Sequence, residues 1–570
     1  MKTKQMRSIN TLLFASIILW SCTTEAPKTD FRFAGEIGKA ETAAIARFQK
    51  APLDSLAWLR ADLTFEIERS FANYSGDISG RFIELMGSRC TETGVSPTDV
   101  HPLYLQLLKD IPNLQCADGH FGASDIDWDI PIDIEATAAV TYYLPALWGN
   151  SRLLCGLVES YKATGDKTIL ESARRLGDFY INIASKRLAV ISKLAEFTGI
   201  GADELTESMN NPDKRGAAGA KLDTYASGYS TCYFPAIESL VKLYRITKEK
   251  KYLETATRMA QVFAAFDVAT PAHTHGMLCT YYGMLLLGEE TGDGSFLLQA
   301  EKRWEFLTEN GFIDPLGGIS EGILNGISPR DEGCSEMDWL RVNLKLYELT
   351  GKARYLDMVD RLMHNHYLAN QWSTGGFGHR MIVSDSLGVY ALGKGAQEAT
   401  WCCVFHGTLG FLYYRQAVVV KADKNLQINF AENFSTEQVV SEITYSGNEV
   451  SQKLTFPAGF DGVLSIRIPE WAENMSFKDA TAADGYLKTQ TVIGKNATLT
   501  VIYSGINYTE DRLLRKSAPG ASQQIVFRRG QYVLAKHGEI TIQPVPASLN
   551  GLSPIGSGTE TQTAVFVFKE

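Results

Sequence analysis

Apolar residues recur at intervals of three and four through four stretches of the chain, and a short polar turn interrupts each stretch once. This spacing is typical of amphipathic helices with one buried face. A threonine precedes each turn, and in three of the four turns the next residue is glycine, which often ends a helix in the left-handed conformation. The threonines are Thr164, Thr247, Thr291 and Thr350. The pattern therefore predicts four helical hairpins.

Weaker helical runs between about residues 50 and 145 extend this series to about six hairpins. A single hairpin cannot bury its apolar face alone, so the hairpins must pack on one another. An open solenoid and a closed (α/α)6 toroid both satisfy the periodicity. The threonines are spaced irregularly, and long, unequal loops gathered at one end of a fold usually build a site, which favours closure. We predict a toroidal catalytic domain over residues 51–415.

After about residue 416 the pattern changes to short segments in which apolar and polar residues alternate, such as "NATLTVIYSG". Alternation with a period of two, interrupted by Gly, Asn and Pro, is typical of antiparallel strands. We therefore predict an accessory β-sandwich domain over residues 416–570 and a fold class of α+β multidomain.

The N-terminus carries basic residues, a short apolar run and then Ser21 and Cys22, a pattern that indicates an export signal. The apolar run is shorter than the roughly 20 residues that cross a bilayer as a helix. Residues 1–22 resemble a bacterial lipoprotein signal, which predicts lipidation of Cys22 and a membrane-anchored protein in the periplasm or on the surface of a Gram-negative bacterium. An ordinary secretory signal and a buried apolar helix are the alternatives. Residues 23–50 are predicted to be a linker.

The composition excludes one class of partner. The chain has 55 basic and 65 acidic residues, a net charge of −10, and no basic block that would neutralise phosphates, so nucleic acid is a poor candidate. The oligomeric state stays open. Among nine cysteines, Cys155 and Cys279 lie in apolar helical patterns and are predicted to be buried. A disulfide among Cys90, Cys116 and Cys232 remains possible on sequence grounds.

Two compact pairs hold the most distinctive chemistry. Glu332 and Cys334 are separated by one residue, and Cys402 and Cys403 are adjacent. Three thiolates and one carboxylate form a ligand set for four-coordinate zinc, which would also protect thiols outside the cytosol. The alternative is that Glu332 caps a helix while the cysteines are core residues or a vicinal disulfide. A helix is predicted just beyond Cys403, so one of the pair, as a thiolate near a helix N-terminus, is also a candidate nucleophile.

Several segments, taken in order, resemble one enzyme family. "DEGC" is similar to its Glu-Thr-Cys motif and "TWCCVFHG" to its Cys-Cys-Pro-Pro-Asn motif. "AHTHGMLCTYYG", "DPLGGISEGI", "SIRIPEWA" and "IVFRRGQYVLA" resemble further family segments. On these motifs the chain is identified as a divergent member of glycoside hydrolase family 127, the β-L-arabinofuranosidase family.

The resemblance implies a retaining glycoside hydrolase. Cys402 would attack the anomeric carbon and Glu321 would act as acid and base, while Glu332, Cys334, Cys402 and Cys403 would bind Zn²⁺. His273 would contact substrate. The implied substrate is a rare furanosyl sugar, β-L-arabinofuranose or a related L- or branched sugar, on plant polysaccharide side chains such as pectin.

Some positions depart from the family pattern. "ALWGNSRLLCG" stands where the family has His-Glu-Leu-Tyr, and His406 stands where it has an asparagine. Because the implied metal ligands persist while sugar-contacting positions change, we expect the same chemistry on a different sugar.

Several further histidines and one tryptophan are assigned individually from their sequence context. His120 and Trp128, in an acidic loop resembling the family's Asp-Gly-Tyr-Leu segment, are predicted to contact substrate, although an ordinary surface loop is an even alternative. His379, in a Gly-rich loop, and His406 are predicted substrate contacts. His364 and His366 are predicted to lie at the exposed end of a helix.

Two other functions remain open on sequence grounds. One is a hydrolase or lyase that pairs Glu321 with an acid from residues 125–129. The other is a lipid-anchored sugar-binding protein with a structural zinc.

Overall fold

The computed structural model describes residues 30–64, 66, 74–132, 143–194, 225–266, 273–309, 312–314, 316–322, 330–384, 390–393, 397–504, 508–512, 524–537, 553–554 and 563–565. The predicted signal and Cys22 lie outside the described residues. Among the described helices, none combines the length and apolar character needed to cross a bilayer.

Helices dominate the chain up to residue 418. They are α1 (Gly35–Arg47), α2 (Leu56–Thr64), α3 (Asp77–Thr93), α4 (Tyr104–Leu114), α5 (Leu144–Thr164), α6 (Lys167–Leu194), α7 (Tyr225–Cys232), α8 (Ala236–Thr247), α9 (Lys250–Phe263), α10 (Thr274–Thr291), α11 (Gly294–Glu309), α12 (Gly333–Thr350), α13 (Ala353–Leu362), α14 (Leu368–Asn370) and α15 (Cys403–Val418), with a π-helical turn (Met363–Tyr367) between α13 and α14.

Six helices form a closed inner ring. In order around the ring they are α3, α5, α8, α10, α12 and α15; each contacts the next, and α15 contacts α3. The helices α4, α6, α9, α11, α13 and α1 lie against them as an outer layer. The predicted (α/α)6 toroid is therefore confirmed, and the open solenoid is excluded by the contact between α15 and α3.

The threonine turns form as the sequence predicts. Thr164 ends α5, its hydroxyl donates to the Ser160 carbonyl at 2.8 Å, and it accepts the Asp166 amide at 3.2 Å. Gly165 follows with φ of +68°, which places it in the left-handed region. The same pair of threonine bonds ends α8, α10 and α12 at Thr247, Thr291 and Thr350. Each threonine thus satisfies one terminal carbonyl and turns the chain into the outer helix.

The predicted linker over residues 23–50 is wrong for residues 32–47. Strand β1 (Arg32–Phe33) pairs with a strand at Phe434–Ser435 of the C-terminal domain, and α1 supplies the outer helix that packs on α15. The sixth hairpin is therefore built from the two ends of the helical region. Long-range packing, which periodicity within one segment does not report, orders this helix.

The remaining strands are β2 (Met381–Ser384), β3 (Tyr390–Gly393), β4 (Val419–Ala422), β5 (Asn425–Ile428), β6 (Phe434–Ser435), β7 (Val440–Ser446), β8 (Glu449–Phe456), β9 (Phe460–Arg467), β10 (Asn474–Ser476), β11 (Thr481–Ala483), β12 (Tyr486–Ile493), β13 (Ala497–Ser504), β14 (Tyr508–Arg512), β15 (Gln524–Arg529), β16 (Tyr532–His537), β17 (Ser553–Pro554) and β18 (Thr563–Val565).

These strands form three sheets. Their orders are β1-β6-β7-β8-β13-β10, β11-β12-β9-β5-β4, and β14-β15-β16-β18-β3-β2 with β17 on β16. Pairing is antiparallel throughout the described strands except between β5 and β9, which are parallel. The predicted C-terminal β domain is confirmed, with one mixed sheet, the one that contains β5 and β9, rather than wholly antiparallel sheets. Strands β2 and β3, which precede the vicinal cysteines in the chain, join the third sheet and so tie the toroid to this domain.

Buried ion pairs join the toroid to the β domain. Arg467 on β9 binds Asp357 and Asp360 on α13, the latter at 2.6 Å. His364 Nε2 lies 2.9 Å from Glu432 Oε2. Burial opposes ionisation of Asp360, but Arg467, His364 and Trp471 together hold its pKa at about 2. Burial likewise opposes protonation of His364, whereas its bonds with Asp360 and Glu432 raise its pKa to about 10.

The prediction that His364 and His366 are exposed is wrong, since both are fully buried in the π-helical turn. The predicted burial of two cysteines is confirmed. Cys155 and Cys279 are buried as predicted, and the eight cysteines of the described residues are all free of disulfides, including Cys90, Cys116 and Cys232.

Candidate active site

Three neighbouring inner helices begin at one end of the toroid, and each presents a polar side chain at its first residues. His273 precedes α10, Glu332 precedes α12, and Cys402 precedes α15. The first amides of a helix have no partner within the helix and carry partial positive charge. This end of the ring therefore attracts negatively charged groups.

The two residue pairs meet at this end. Cys402 Sγ lies 3.5 Å from Cys403 Sγ and 3.9 Å from Glu332 Oε1, and Cys403 Sγ lies 3.7 Å from Cys334 Sγ. All four candidate ligand atoms lie within 4.8 Å of one another, and all four residues are buried. The predicted convergence of these four side chains is confirmed.

The spacing of these atoms fits a tetrahedral zinc ion. With Zn–S bonds of about 2.3 Å, a tetrahedral ion holds its sulfurs roughly 3.8 Å apart. The observed sulfur separations fall close to this value, and they exclude a vicinal disulfide between Cys402 and Cys403. Glu332 occupies the N-cap position of α12, but its side chain makes no capping hydrogen bond. Its carboxylate instead lies among the sulfurs.

A glycine between two candidate ligands allows this approach. A Cβ at Gly333 would lie 2.7 Å from Asn370 Oδ1 and 3.2 Å from Cys403 Cβ. The Gly333 amide donates to the Gly378 carbonyl at 2.9 Å. Any larger residue at this position would push α12 and α15 apart and separate Cys334 from Cys403.

Electrostatics select one thiolate among the three sulfurs. Burial opposes ionisation of Cys402, but hydrogen bonds from Cys334 and Cys403 and the charge of Arg81 hold its pKa well below the ordinary value. The pKa values of Cys334 and Cys403 are raised, mainly by burial. Burial and the nearby Cys402 likewise raise the pKa of Glu332. Negative charge therefore concentrates on Cys402.

Two predicted site residues lie beside this cluster. His273 accepts the Gly276 amide at Nδ1, 3.2 Å away, so its Nε2 carries the proton and lies 3.5 Å from Glu332 Oε2. The Glu321 carbonyl accepts the Thr274 amide at 2.9 Å. His273, Glu321 and Glu332 each place a side-chain atom within 4.8 Å of the other two. A carboxylate and a thiolate therefore lie at one end of the toroid, which suits acid–base and nucleophilic chemistry.

Comparison with known proteins agrees with this geometry. The family model described as β-L-arabinofuranosidase, GH127 catalytic domain, matches residues 228–413. Residues 228–413 are therefore similar to a glycoside hydrolase family 127 catalytic domain. The match covers Glu321, Glu332, Cys334 and the vicinal cysteines, so the resemblance drawn from the sequence motifs is confirmed. No curated protein matches the sequence.

Solved structures of glycoside hydrolases share the fold. One is a family 127 β-arabinofuranosidase at 15% identity and a TM-score of 0.61, covering 95% of this chain and 94% of its own. Another is a family 127 β-L-arabinofuranosidase from Geobacillus stearothermophilus T6 at 14% identity and a TM-score of 0.60, with 91% and 88% covered. A third, described as a glycoside hydrolase, has 14% identity and a TM-score of 0.57, with 95% and 93% covered.

Two other predicted substrate-contacting histidines, His379 and His406, are held by contacts within the protein. His379 is buried, its Nδ1 lies 2.8 Å from the Asp331 carbonyl, and its ring stacks beside Trp401. His406 is also buried, one turn into α15, and its Nε2 lies 2.9 Å from Asp338 Oδ1. His379 thus adjoins the residue before Glu332, whereas His406 lies below the cluster. Their substrate contacts stay predictions.

The acidic loop is also ordered by its own contacts. His120 is 2% exposed, with Nδ1 2.5 Å from Asp118 Oδ1 and Nε2 3.0 Å from the Ala123 carbonyl. Both ring nitrogens are therefore occupied. The half-buried Trp128 ring packs edge-on against His120 and Phe179. The predicted substrate contact of Trp128 stays a prediction, and that of His120 would require one of these bonds to open.

Sequence reasoning missed a buried polar layer beneath the cysteines. Asp338 on α12 accepts hydrogen bonds from His275, His406 and Arg341. Arg81 on α3 lies 2.8 Å from His275 Nε2 and binds Asp77. Each residue lies on a helix whose sequence pattern is otherwise that of a buried apolar helix. The four helices come together only in the closed ring. No local motif signals this layer.

Proposed function

We propose that this protein is an exported retaining glycoside hydrolase that removes a furanosyl sugar, β-L-arabinofuranose or a related L- or branched sugar, from plant polysaccharide side chains. The convergence of Glu332, Cys334, Cys402 and Cys403 carries the proposal, because this ligand set fits zinc and leaves a low-pKa thiolate beside a carboxylate. The family 127 match supports the same chemistry.

The reaction takes two displacements. Cys402 Sγ forms a bond to the anomeric carbon as the glycosidic C–O bond breaks, and Glu321 gives a proton to the departing oxygen. Water then attacks the anomeric carbon, Glu321 takes its proton, and the C–S bond breaks to return the thiolate. Two inversions at one carbon give net retention.

The four ligand residues would hold Zn²⁺, which would keep the cysteine sulfurs deprotonated and moderate the basicity of the nucleophile. His273 would donate from Nε2 to Glu332 or to a sugar hydroxyl, since Nδ1 is occupied by the Gly276 amide. Lipidation at Cys22 would hold the enzyme on a membrane, close to imported or surface-bound oligosaccharides.

The test combines metal analysis with hydrolysis of defined substrates. Purified protein is assayed for zinc and for release of sugar from β-L-arabinofuranosides and from pectic and arabinan-type oligosaccharides, and product anomers are followed by NMR. Cys402→Ala is expected to lose hydrolysis, whereas the matched control Cys90→Ala, at a buried thiol remote from the cluster, is expected to retain it. Zinc-free, active protein, or activity in Cys402→Ala, would refute the proposal.

A sugar-binding protein with a structural zinc is the alternative that this experiment also detects. It would bind oligosaccharides and contain zinc but hydrolyse none of the substrates. A pair of carboxylates acting without the cysteines would leave Cys402→Ala active. Asp129 of the acidic loop is exposed and paired with Lys186 at 2.9 Å, which gives the carboxylate-pair hypothesis no support.

A further inference from the structure

A second buried cluster of ligand-type side chains includes Asp331, the residue before Glu332. It consists of Asp314, Asp331 and Glu336 around His366, the histidine of the π-helical turn. His366 Nε2 lies 2.7 Å from Asp331 Oδ2 and 3.5 Å from Glu336 Oε1, and its Nδ1 lies 2.5 Å from Asp314 Oδ2. None of the four residues is more than 6% exposed.

Two acids of this cluster, Asp331 and Glu336, share a single base, His366. Asp331, Glu336 and His366 place ligand atoms within 4.8 Å of one another. Among the described residues, Asp331 and Glu336 form ion pairs with His366 and with no lysine or arginine.

The cluster beneath the cysteines shows how the same fold balances such charge elsewhere. His275, Cys279, Asp338 and His406 also form a group with metal-ligand chemistry. There, however, Arg341 donates to Asp338 at 2.7 Å and to Cys279 at 3.3 Å, and Arg81 reaches His275. Guanidinium groups therefore already supply the positive charge. Within the described ranges of the chain, no lysine or arginine side chain forms an ion pair with Asp331 or Glu336.

One atom of the second cluster has unused bonding capacity. Glu336 Oε1 accepts the Ile319 amide at 3.0 Å, but Glu336 Oε2 is buried and has no hydrogen-bond partner in the part of the chain that the structure describes. An unpaired carboxylate oxygen in the protein interior is costly unless a cation or a proton satisfies it. Asp331 Oδ2 accepts from Asn370 at 2.9 Å, which fixes the orientation of that carboxylate.

The position of Asp314 matches the outer contact of a metal-bound histidine. Such a histidine binds the ion through one nitrogen and donates the other N–H to a carboxylate, which fixes the ring. Here Nδ1 faces Asp314, while Nε2 faces Asp331 and Glu336. The two nitrogens therefore face different groups, and an ion would replace the direct contact of 2.7 Å between Nε2 and Asp331 Oδ2.

We propose that Asp331, Glu336 and His366 bind a divalent transition-metal ion, in addition to the zinc ascribed to the cysteines, with Asp314 orienting the imidazole. One imidazole and two carboxylates suit Zn²⁺, Fe²⁺ or Mn²⁺ and lack the sulfur that defines the cysteine site. The ion would anchor Asp331, whose neighbour is Glu332 and whose backbone pairs with Ser320, the residue before Glu321. It would thus fix the positions of the two segments that carry Glu332 and Glu321.

Cobalt titration separates the two sites. Protein freed of metal by a chelator is titrated with Co²⁺ and, after desalting, bound cobalt per chain is counted by mass spectrometry. Cobalt bound by thiolates gives a sulfur-to-cobalt charge-transfer absorption, which cobalt bound by imidazole and carboxylates lacks. We expect two ions per wild-type chain, with the charge-transfer band accounting for one of them.

Variants assign the second ion. Glu336→Gln and His366→Gln are each expected to bind one ion and to keep the full charge-transfer band. Glu348→Gln, a substitution on the same helix at a glutamate that pairs with Lys345, is the matched control and is expected to bind two. Cys334→Ser is expected to lose the band and keep the second ion.

A wild-type chain that binds no ion beyond the one giving the charge-transfer band overturns the proposal, and so does a count of two in both Glu336→Gln and His366→Gln. The wild-type count decides even where a variant fails to fold. Enzyme activity is not a readout of this experiment, so an inactive protein that binds two ions would refute the proposed function and leave this inference standing.

Discussion

Cys334 Sγ and Cys403 Sγ lie 3.7 Å apart, although 69 positions separate the two residues in the chain. The first belongs to α12 and the second to α15, which are neighbours in the inner ring. A metal ion held by both would cross-link the two helices at their first turns. The proposed active site and the packing of α12 against α15 therefore share the same atoms.

Removal of zinc is predicted to destabilise the toroid. A ligand bound only by the folded chain and present at 100 times its dissociation constant stabilises by about 2.7 kcal/mol, so a strong chelator should lower the free energy of unfolding by about 3 kcal/mol or more. Scanning calorimetry with and without chelator measures this loss. In Cys334→Ser the chelator effect should shrink, whereas in Cys90→Ser it should match the wild type. A wild-type melting temperature that is the same with and without chelator would contradict the prediction.

Substitution of Glu321 is predicted to slow turnover in a way that depends on the leaving group. Loss of a general acid typically costs about 10² to 10⁴ in rate, and less where the leaving group needs no proton. Glu321→Gln should therefore lose most activity on oligosaccharides and far less on an aryl glycoside with an acidic phenol. Steady-state kinetics on both substrates test this. Glu305→Gln, at an outer-helix glutamate paired with Arg354, is the control. Equal losses on the two substrates would exclude Glu321 as the acid.

The sequence predicts much of this architecture because its signals are local. Thr164 with Gly165 marks the end of a helix within a few residues, and the other threonine turns do the same. The sequence itself places Glu332 close to Cys334 and Cys402 next to Cys403, and this pairing is enough to predict a candidate metal site.

The sequence does not predict features that depend on distant partners. Helix α1 is ordered by packing on α15, some 370 residues later, and nothing within residues 35–47 indicates this partner. His366 lies in a polar segment, "MHNHY", that is typical of a helix end, yet Asp314 and Asp331 surround it. A buried charge is recognisable only when its counter-charge is known, and here the counter-charges come from other segments.

His120 is predicted to serve stability more than substrate binding. Its ring is buried, and two hydrogen bonds, each worth about 1 kcal/mol, hold the acidic loop. His120→Ala should therefore lower the free energy of unfolding by about 2 kcal/mol or more and leave KM within about twofold. Urea denaturation and steady-state kinetics measure the two quantities. His101→Ala, which removes a buried histidine outside the acidic loop, serves as control. A rise in KM with unchanged stability would instead favour a substrate contact.

The contact between the toroid and the β domain is predicted to weaken in alkali through His364. Its pKa is raised from an ordinary value of 6.5 to about 10, so its contribution to stability is complete below pH 6.5 and is lost as the pH rises through 10. Asp360 behaves oppositely. Its pKa is lowered from 3.8 to about 2, so its contribution, about 2 kcal/mol, is present above pH 3.8 and is lost as the pH falls through 2.

His364→Gln isolates the alkaline effect from that of titrating tyrosines and cysteines. The difference in melting temperature between wild type and His364→Gln should be largest below pH 6.5 and should shrink steadily as the pH approaches 10. His101→Gln is the matched control, because burial lowers the pKa of His101, and its difference from wild type should not shrink above pH 7. A wild-type advantage over His364→Gln that stays constant from pH 6 to 10 would mean that His364 is neutral in the folded protein. The Glu432 bond would then be an ordinary hydrogen bond rather than an ion pair between the domains.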